Sequence, residues 1–202
     1  TQFGNDSAGW KVGLNYLHKQ DDYDLVIGVS AIDRGISYDA DGRRVGMNTS
    51  GSVSDSMTNN LFLKGGINFG EDGVQRVQLS YSRFKIEGNG DYIQVEGCRP
   101  GTCANPVTNT SERGHIFGSK AEFNDFEQLN GLYTHGDFFG GNLVLNAYWA
   151  EQAMRYLPEN GDDRQLVWPL PSGAPRIYDQ SEIYSKKWGC RPSWTRTSLF
   201  GV

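Results

Sequence analysis

The chain has 202 residues, with 26 glycines, 12% aromatic residues and a formal net charge of −5. Its mean hydropathy is −0.55, and no run of about 20 apolar residues occurs, which excludes a bundle of transmembrane helices. The acidic balance and the lack of a basic stripe argue against a nucleic-acid partner.

Stretches in which apolar and polar residues alternate recur along the chain, and this period of two predicts half-buried strands. The fifth stretch alternates less cleanly than the others, and the seventh reads as a poorer strand that Pro192 breaks. The sequence therefore predicts an all-β protein, an antiparallel meander of about six or seven strands. In chain order these are Ser7–Lys19, Tyr23–Arg34, Asn60–Phe69, Val74–Ile86, Phe126–Gly136, Asn142–Arg155 and Glu182–Thr197.

Short and long connections alternate between these strands. Short turns are predicted at Gln20–Asp22, Glu71–Gly73 and Phe138–Gly140, and long loops at roughly Gly35–Asn59, Glu87–Asp125 and Pro158–Ser181. A meander with short hairpin turns places all the turns at one edge of the sheet and all the long loops at the other. That pattern is typical of part of a transmembrane β-barrel with short periplasmic turns and long extracellular loops. Hydrocarbon tolerates no unpaired backbone, so a membrane span built from strands has to belong to a closed barrel.

The alternation also predicts which side chains face lipid. Aromatic residues collect near the short turns, where a membrane boundary would place them; they are Tyr16, Tyr23, Phe69, Tyr133, Phe138 and Phe139. The side chains expected to face lipid are Trp10, Val12, Leu14, Leu25, Ile27, Val29, Leu61, Leu63, Leu79, Leu143 and Leu145. Small barrels have an even number of strands, usually eight or more, so residues 1–202 are expected to be a single segment of an incomplete, larger barrel.

Two segments carry a resemblance to a known family. They are YDADGRRVGMNTSGSVSDSMTNNLFLKGGINFGEDGVQRVQLSYSRFKIEGNGDY (Tyr38–Tyr92) and FEQLNGLYTHGDFFGGNLVLNAYWAEQAMRYLP (Phe126–Pro158). Both resemble the barrel of TonB-dependent ferric-siderophore receptors, closest to the ferric-aerobactin type, and DQSEIYSKKWGCRPSWTRT (Asp179–Thr197) is similar to the strand that follows. In that family a plug domain precedes a barrel of about 22 strands. Nothing in this chain resembles the plug or the TonB box.

The resemblance implies a segment of a transporter in the bacterial outer membrane that takes up ferric siderophores. The implied partners are a ferric siderophore, TonB through the missing plug domain, and outer-membrane lipid and lipopolysaccharide. No cofactor is expected, and iron would enter only as the siderophore complex. No catalytic motif or metal-ligand spacing is present, so we expect no enzyme.

A ferric siderophore is anionic and rich in oxygen, so guanidinium groups and aromatic rings are suited to bind it. The candidate ligand-binding residues near the extracellular strand ends are Arg34, Arg43, Arg44, Tyr92, Arg99, Arg113, His115, Trp149, Arg155, Tyr156 and Trp168. Cys98 and Cys103 flank a Pro-Gly turn and are expected to form a local disulfide, with Cys190 left as a free thiol. A metal pair is the alternative for the two cysteines, but no further Cys or His stands at a fixed spacing from them.

Two other classes of protein remain open at this point. A complete small porin-like barrel would have an even number of strands. A soluble β-sandwich binding module would pack its apolar strand faces together in a dry interior, and its solubility would not depend on detergent.

Overall fold

The computed structural model describes residues 5–45, 54–71, 74–95, 97, 104, 109–114, 119–157, 159–160 and 178–196. This part of the chain is all-β apart from a 3-10 turn at Asn5–Ser7. The strands are β1 (Trp10–Lys19), β2 (Tyr23–Arg34), β3 (Ser56–Phe69), β4 (Gln75–Gly88), β5 (Tyr92–Val95), β6 (Thr110–Arg113), β7 (Phe123–Phe138), β8 (Gly141–Arg155), β9 (Glu159–Asn160), β10 (Tyr178–Asp179) and β11 (Glu182–Thr195).

Seven of these strands form one sheet in the order β1-β2-β3-β4-β7-β8-β11, and every neighbouring pair is antiparallel. The predicted antiparallel meander is therefore confirmed. Within the described residues the sheet is not closed, and β1 and β11 form its two edges. The other four strands form two small hairpins, β5 with β6 and β9 with β10.

The connections alternate as the sequence predicts. The turn between β7 and β8 has positive φ at both central residues, 49° at Phe139 and 72° at Gly140, as a type I′ hairpin turn requires. In the turn after β3, Gly70 has a φ of 86°, while residues 72–73 lie outside the described part. The long connections leave from the opposite edge, and they contain the two small hairpins, which the alternation did not predict.

Several strands extend further toward the long loops than predicted. β3 begins at Ser56 rather than Asn60, β4 continues to Gly88, and β7 begins at Phe123. The expected break at Pro192 was wrong, because β11 pairs with β8 without interruption from Glu182 to Thr195. A proline fits in an edge strand when its nitrogen, which carries no hydrogen, points away from the paired neighbour.

The pairing register sorts the strand residues of the large sheet onto two faces, because directly paired residues share a face. One face carries the even-numbered residues of β1 and β11 and the odd-numbered residues of the five strands between them. We call it the apolar face, because all eleven side chains expected to face lipid lie on it. We call the opposite side the polar face.

The apolar face has large side chains that are exposed rather than packed. Exposed fractions reach 68% at Leu14, 57% at Leu79 and 80% at Trp188. Ile27 and Leu63, at the middle of the face, are half-buried. The central apolar band of this face comprises Trp10, Val12, Leu14, Leu25, Ile27, Val29, Ala31, Leu61, Leu63, Gly65, Ile67, Val77, Leu79, Tyr81, Leu129, Gly131, Leu145, Ala147, Trp149, Trp188, Cys190 and Pro192.

Two rims border this band. At the short-turn edge, the rings of Phe69, Tyr133, His135, Phe138 and Phe139 form a continuous series with centroid separations from 4.7 to 6.5 Å. We call this series, together with Tyr16, His18 and Tyr23, the aromatic rim. Toward the long loops the same face carries a charged rim of Arg83, Lys85, Glu87, Asp125, Glu127, Glu151, Arg155, Glu182 and Lys186, which is rich in ion pairs.

The polar face is held together by side-chain hydrogen bonds across the strands. Asn60 Nδ2 donates to Ser30 Oγ at 3.0 Å, and Asn146 Nδ2 donates to Asn130 Oδ1 at 2.8 Å. Arg76 joins Asp24 to Asn68 near the short-turn edge. The two faces therefore differ in chemistry, one with a continuous apolar band between two rims and the other with polar side chains that hydrogen-bond across strands, among which apolar residues such as Leu17, Phe62 and Phe84 are interspersed.

Candidate ligand-capture surface at the long-loop edge

The buried apolar residues of the described chain lie beyond the large sheet, at its long-loop edge. Ile36, Tyr92 and Leu157 are at most 6% exposed, and Tyr38 packs against them. They come from the loop after β2, from the β5–β6 hairpin and from the loop after β8. This small core draws separate loops into one structure.

Asp6 is the polar centre of this structure. Its two carboxylate oxygens accept hydrogen bonds from the hydroxyl of Tyr38, from the hydroxyl of Tyr92 at 2.7 Å, and from the Arg44 guanidinium at 3.0 and 3.3 Å. The Asp6 carbonyl also accepts the backbone N–H of Ile36 at 2.8 Å. The two tyrosine hydroxyls, followed by Arg44, lower the pKa of Asp6 well below its ordinary value. Asp6 is therefore ionised at neutral pH and connects the 3-10 turn to two loops.

Two arginines stack on the tyrosines of this cluster. The Arg44 guanidinium carbon lies 5.8 Å from the Tyr38 ring centroid and 5.6 Å from that of Tyr92. Arg113 lies 5.5 Å from the Tyr92 ring, within the range of a cation–π contact. We call Asp6, Tyr38, Arg44, Tyr92 and Arg113 the loop hub. Further contacts support the hub, since Val45 bridges to Thr110 and its carbonyl accepts the Ser111 hydroxyl at 3.0 Å.

The two hub arginines differ in what is left to bind a ligand. Arg44 is committed to Asp6, so its charge is largely neutralised. Arg113 is exposed and makes no ion pair of 4.0 Å or less with the described residues, although its charge favours the ionised form of Asp55. An exposed guanidinium of this kind can bind a carboxylate or another anionic oxygen group.

Two carboxyl groups near the long-loop edge, those of Asp55 and Glu122, are buried and influence each other. Asp55 is 5% exposed, accepts Asn89 Nδ2 at 3.1 Å and the Asp91 N–H at 3.2 Å, and has a φ of 49°. Glu122 is 8% exposed, and its Oε1 is buried with no hydrogen-bond partner among the described residues. Burial raises the pKa of both groups, and the charge of Asp55 raises that of Glu122 further.

The structure brings most of the described candidate residues to the long-loop edge. Arg34 donates to Thr58 Oγ1 at 2.7 Å, and Arg155 donates to Glu182 Oε1 at 2.6 Å. Arg43 is 56% exposed but pairs with Asp39 and Asp41 at 2.9 and 3.0 Å. The Tyr156 N–H donates to the Ser181 carbonyl at 3.0 Å.

Trp149 is the exception among these candidates. It lies in the middle of β8 on the apolar face, opposite Leu129 and Trp188, with the Lys186 ammonium 5.5 Å from its ring. Its position belongs to the apolar band and not to the loops. Arg99, His115 and Trp168 lie outside the described residues, as do Cys98 and Cys103, and Cys190 is a free, exposed thiol of β11.

Sequence reasoning missed Asp6, Tyr38, Asp55 and Glu122. Asp6 stands in a short polar stretch before the first strand, where no pattern marks it. Its partners follow at separations of 32, 38 and 86 residues, and alternation along a strand carries no information about contacts between loops.

In the part of the chain that the structure describes, no three or more His, Cys, Asp or Glu side chains are grouped to hold a metal ion. Among the described residues there is no helix that is long and apolar enough to cross a membrane. Neither a protein-family model nor a solved structure matches this chain.

Proposed function

We propose that this chain is a segment of a TonB-dependent receptor of the bacterial outer membrane, and that its long-loop edge helps capture a ferric siderophore. The sheet would form part of the barrel wall, with the apolar face toward lipid and the polar face toward the lumen. Energy for transport would reach the ligand through a plug domain and TonB. The chain itself supplies wall and loops.

The observation that carries this proposal is the apolar band between two different rims. On β2 the apolar band runs from Leu25 to Ala31, about 20 Å along the strand, and it reaches about 27 Å with Tyr23 of the aromatic rim included. At a strand tilt of about 40° this corresponds to a height of roughly 21 Å, close to the apolar band of about 25 Å around a membrane barrel. Aromatic side chains favour a membrane–water boundary because the ring is apolar while its polar group stays hydrated.

Two further features agree with a membrane boundary at the short-turn edge. Phe139 is 81% exposed and adopts a positive φ, which is unfavourable for a bulky residue where Asn or Gly is usual. A large apolar ring at a strained and exposed position gains stability if it dips into the lipid boundary. In addition, the turns at this edge are short, as periplasmic turns are.

A soluble β-sandwich accounts less well for the same sheet. It requires a second layer over the apolar face, and in the described residues the apolar band has no such cover. A porin-like barrel would have the same kind of wall, but it would not need an ordered cluster of loop residues. The loop hub, which orders three separate segments around Asp6, favours a protein that presents a defined capture surface.

Arg113 is the residue of this surface that we expect to contribute most to ligand capture. It is exposed, it is held against Tyr92, and it lacks a close carboxylate among the described residues. Arg43 is also exposed, but Asp39 and Asp41 neutralise it. Positive potential focused at the mouth of a pore raises the rate of anion capture and makes it sensitive to salt.

Uptake of iron-loaded citrate-hydroxamate siderophore by cells that carry the intact receptor tests the proposal. Arg113→Ala should lower uptake at limiting ligand, and Arg43→Ala should lower it less. Lys19→Ala, at the opposite short-turn edge, is the matched loss of one positive charge and should leave uptake unchanged. Growth on a sugar or a cobalamin, and on no ferric siderophore, would contradict the substrate class. Equal losses in all three variants would contradict the role of the loops.

A further inference from the structure

The apolar face contains a groove whose lining changes from apolar to cationic across four strands. The groove has a volume of about 590 Å³. Its face is formed by two adjacent rows of paired residues, Val12–Ala31–Asn59–Lys85 and Leu14–Val29–Leu61–Arg83. With strands about 4.8 Å apart, each row extends about 14 Å from β1 to β4.

From this arrangement we propose that the groove binds one anionic membrane lipid, with an acyl chain on the floor of β1–β3 and the phosphate group at Arg83 and Lys85. The inference rests on the proposed membrane location of the apolar face.

The floor offers exposed apolar surface. Val12 is 60% exposed, Leu14 68% and Val29 40%. Gly13 and Ser30, the small residues beside them along the chain, also line the groove. Contact with an acyl chain would remove this surface from water or from less ordered lipid, and it would do so over a length that matches many methylene groups.

Arg83 and Lys85 lie at one end of this floor, and each keeps hydrogen-bond donors that its carboxylate partner does not use. Arg83 donates Nε and Nη2 to Asp125 at 3.1 and 2.6 Å, and within the described residues no acceptor is found for Nη1. Lys85 Nζ donates to Glu87 at 2.6 Å, and an ammonium group has three donors. Both side chains remain partly exposed, at 47% and 37%. A phosphate can therefore join each cation as an additional acceptor, although the carboxylates of Asp125, Glu127 and Glu87 weaken its attraction.

The direction of the groove agrees with the orientation of a lipid. On β2 the apolar positions continue to Ala31, whereas on β4 the charges begin at Arg83, one row nearer the short turns. The boundary of the apolar band is thus oblique to the rows, as strand tilt in a barrel wall requires. Along one row, the β1 end lies deeper in the band and the β4 end lies at its charged rim. The acyl chain would therefore lie at the apolar β1 end of the row, and the headgroup at its charged β4 end.

Native mass spectrometry of the purified protein in uncharged detergent, with phosphatidic acid and phosphatidylcholine added in equal amounts, tests this inference. Each Lys or Arg near an anionic membrane surface contributes about 1 kcal/mol, which is roughly fivefold in affinity. Because both cations are already paired, we expect the wild type to retain phosphatidic acid about fivefold over phosphatidylcholine. The double variant Arg83→Gln/Lys85→Gln should reduce this ratio to one or below, because the carboxylates of Asp125, Glu127 and Glu87 remain.

The double variant Lys187→Gln/Arg191→Gln removes the same charges from the polar face of β11 and should keep the wild-type ratio. Leu14→Gln should lower the retention of both lipids, and inorganic phosphate at the lipid concentration should displace neither. Equal retention of the two lipids by the wild type would overturn the lipid site and leave the membrane proposal intact. Loss of preference in the β11 variant, or displacement by inorganic phosphate, would also overturn it. Protein that stays soluble without detergent and retains neither lipid would overturn both proposals.

Discussion

A charge placed at the centre of the apolar band should be far more costly than the same charge on the polar face. Ile27 is the middle of the five apolar residues that β2 places on the apolar face, from Tyr23 to Ala31, and it pairs with Tyr16 on one side and Leu63 on the other. An arginine at the midplane of a barrel wall costs roughly 2–4 kcal/mol. Ile27→Arg should therefore lower the folding equilibrium constant in lipid by a factor of roughly 30 to 900.

Asn15→Arg is the matched control for this substitution. Asn15 pairs with Gly28 in the row next to the one that joins Tyr16 and Ile27, so the two changes lie at nearly the same depth but on opposite faces. Gly28 leaves room beside Asn15 for a long side chain, and we expect a cost below about 1 kcal/mol. Urea unfolding in lipid vesicles, followed by tryptophan fluorescence, measures both free energies.

The difference between the free energies of unfolding of the two variants tests whether the apolar face meets lipid. If Ile27→Arg and Asn15→Arg lower the free energy of unfolding by amounts within about 0.5 kcal/mol of each other, the apolar face does not meet lipid. The same conclusion follows if Ile27→Arg folds as well in detergent-free buffer as the wild type.

Asp6→Asn should increase hydrogen exchange in the loop after β2 at any pH above about 4. Because the pKa of Asp6 is lowered on folding, the stabilising effect of its carboxylate is lost at lower pH, and the variant and the wild type should then exchange alike. Exchange in the variant that matches the wild type at pH 7 would contradict the role of the hub. Glu122→Gln should raise the free energy of unfolding at pH 7. The pKa of Glu122 is raised on folding, so the wild type loses stability as pH rises above about 4.5, and the variant should lose less. Thiol counting under denaturing, non-reducing conditions should find one free thiol, Cys190, and three would refute the Cys98–Cys103 disulfide.

The strands could be predicted from the sequence because one face of the sheet is apolar and the other polar over most of their length. In β2, Leu25, Ile27 and Val29 alternate with residues of the polar face, and the register with β1 and β3 follows from that alternation. The prediction stopped early at the long-loop edge. At Asn59 and Asn60 of β3 the apolar contrast is lost, because neighbouring residues of both faces are polar there while the backbone pairing continues to Ser56.

The loop hub could not be predicted for a different physical reason. The contacts of Asp6 with Tyr38, Arg44 and Tyr92 join segments far apart in the chain, and each of these residues has an ordinary local sequence. The candidates Arg44, Tyr92 and Arg113 were chosen by residue type and by their position in the loops. Only the folded chain distinguishes the arginine that an aspartate neutralises from the one that remains exposed.

Pro192 has a consequence for how the sheet associates with other strands. Because β11 pairs with β8 through Pro192 without interruption, we expect its nitrogen to face the open side of β11, where any strand that pairs would find one hydrogen bond missing from the ladder. Lys186, Lys187 and Arg191 add charge to the same edge, and charge and proline together discourage pairing with the wrong chain. The β1 edge has no proline between Trp10 and Lys19. During folding, unwanted association of this sheet should therefore begin at β1, while β11 accepts only a strand whose sequence suits the interrupted position.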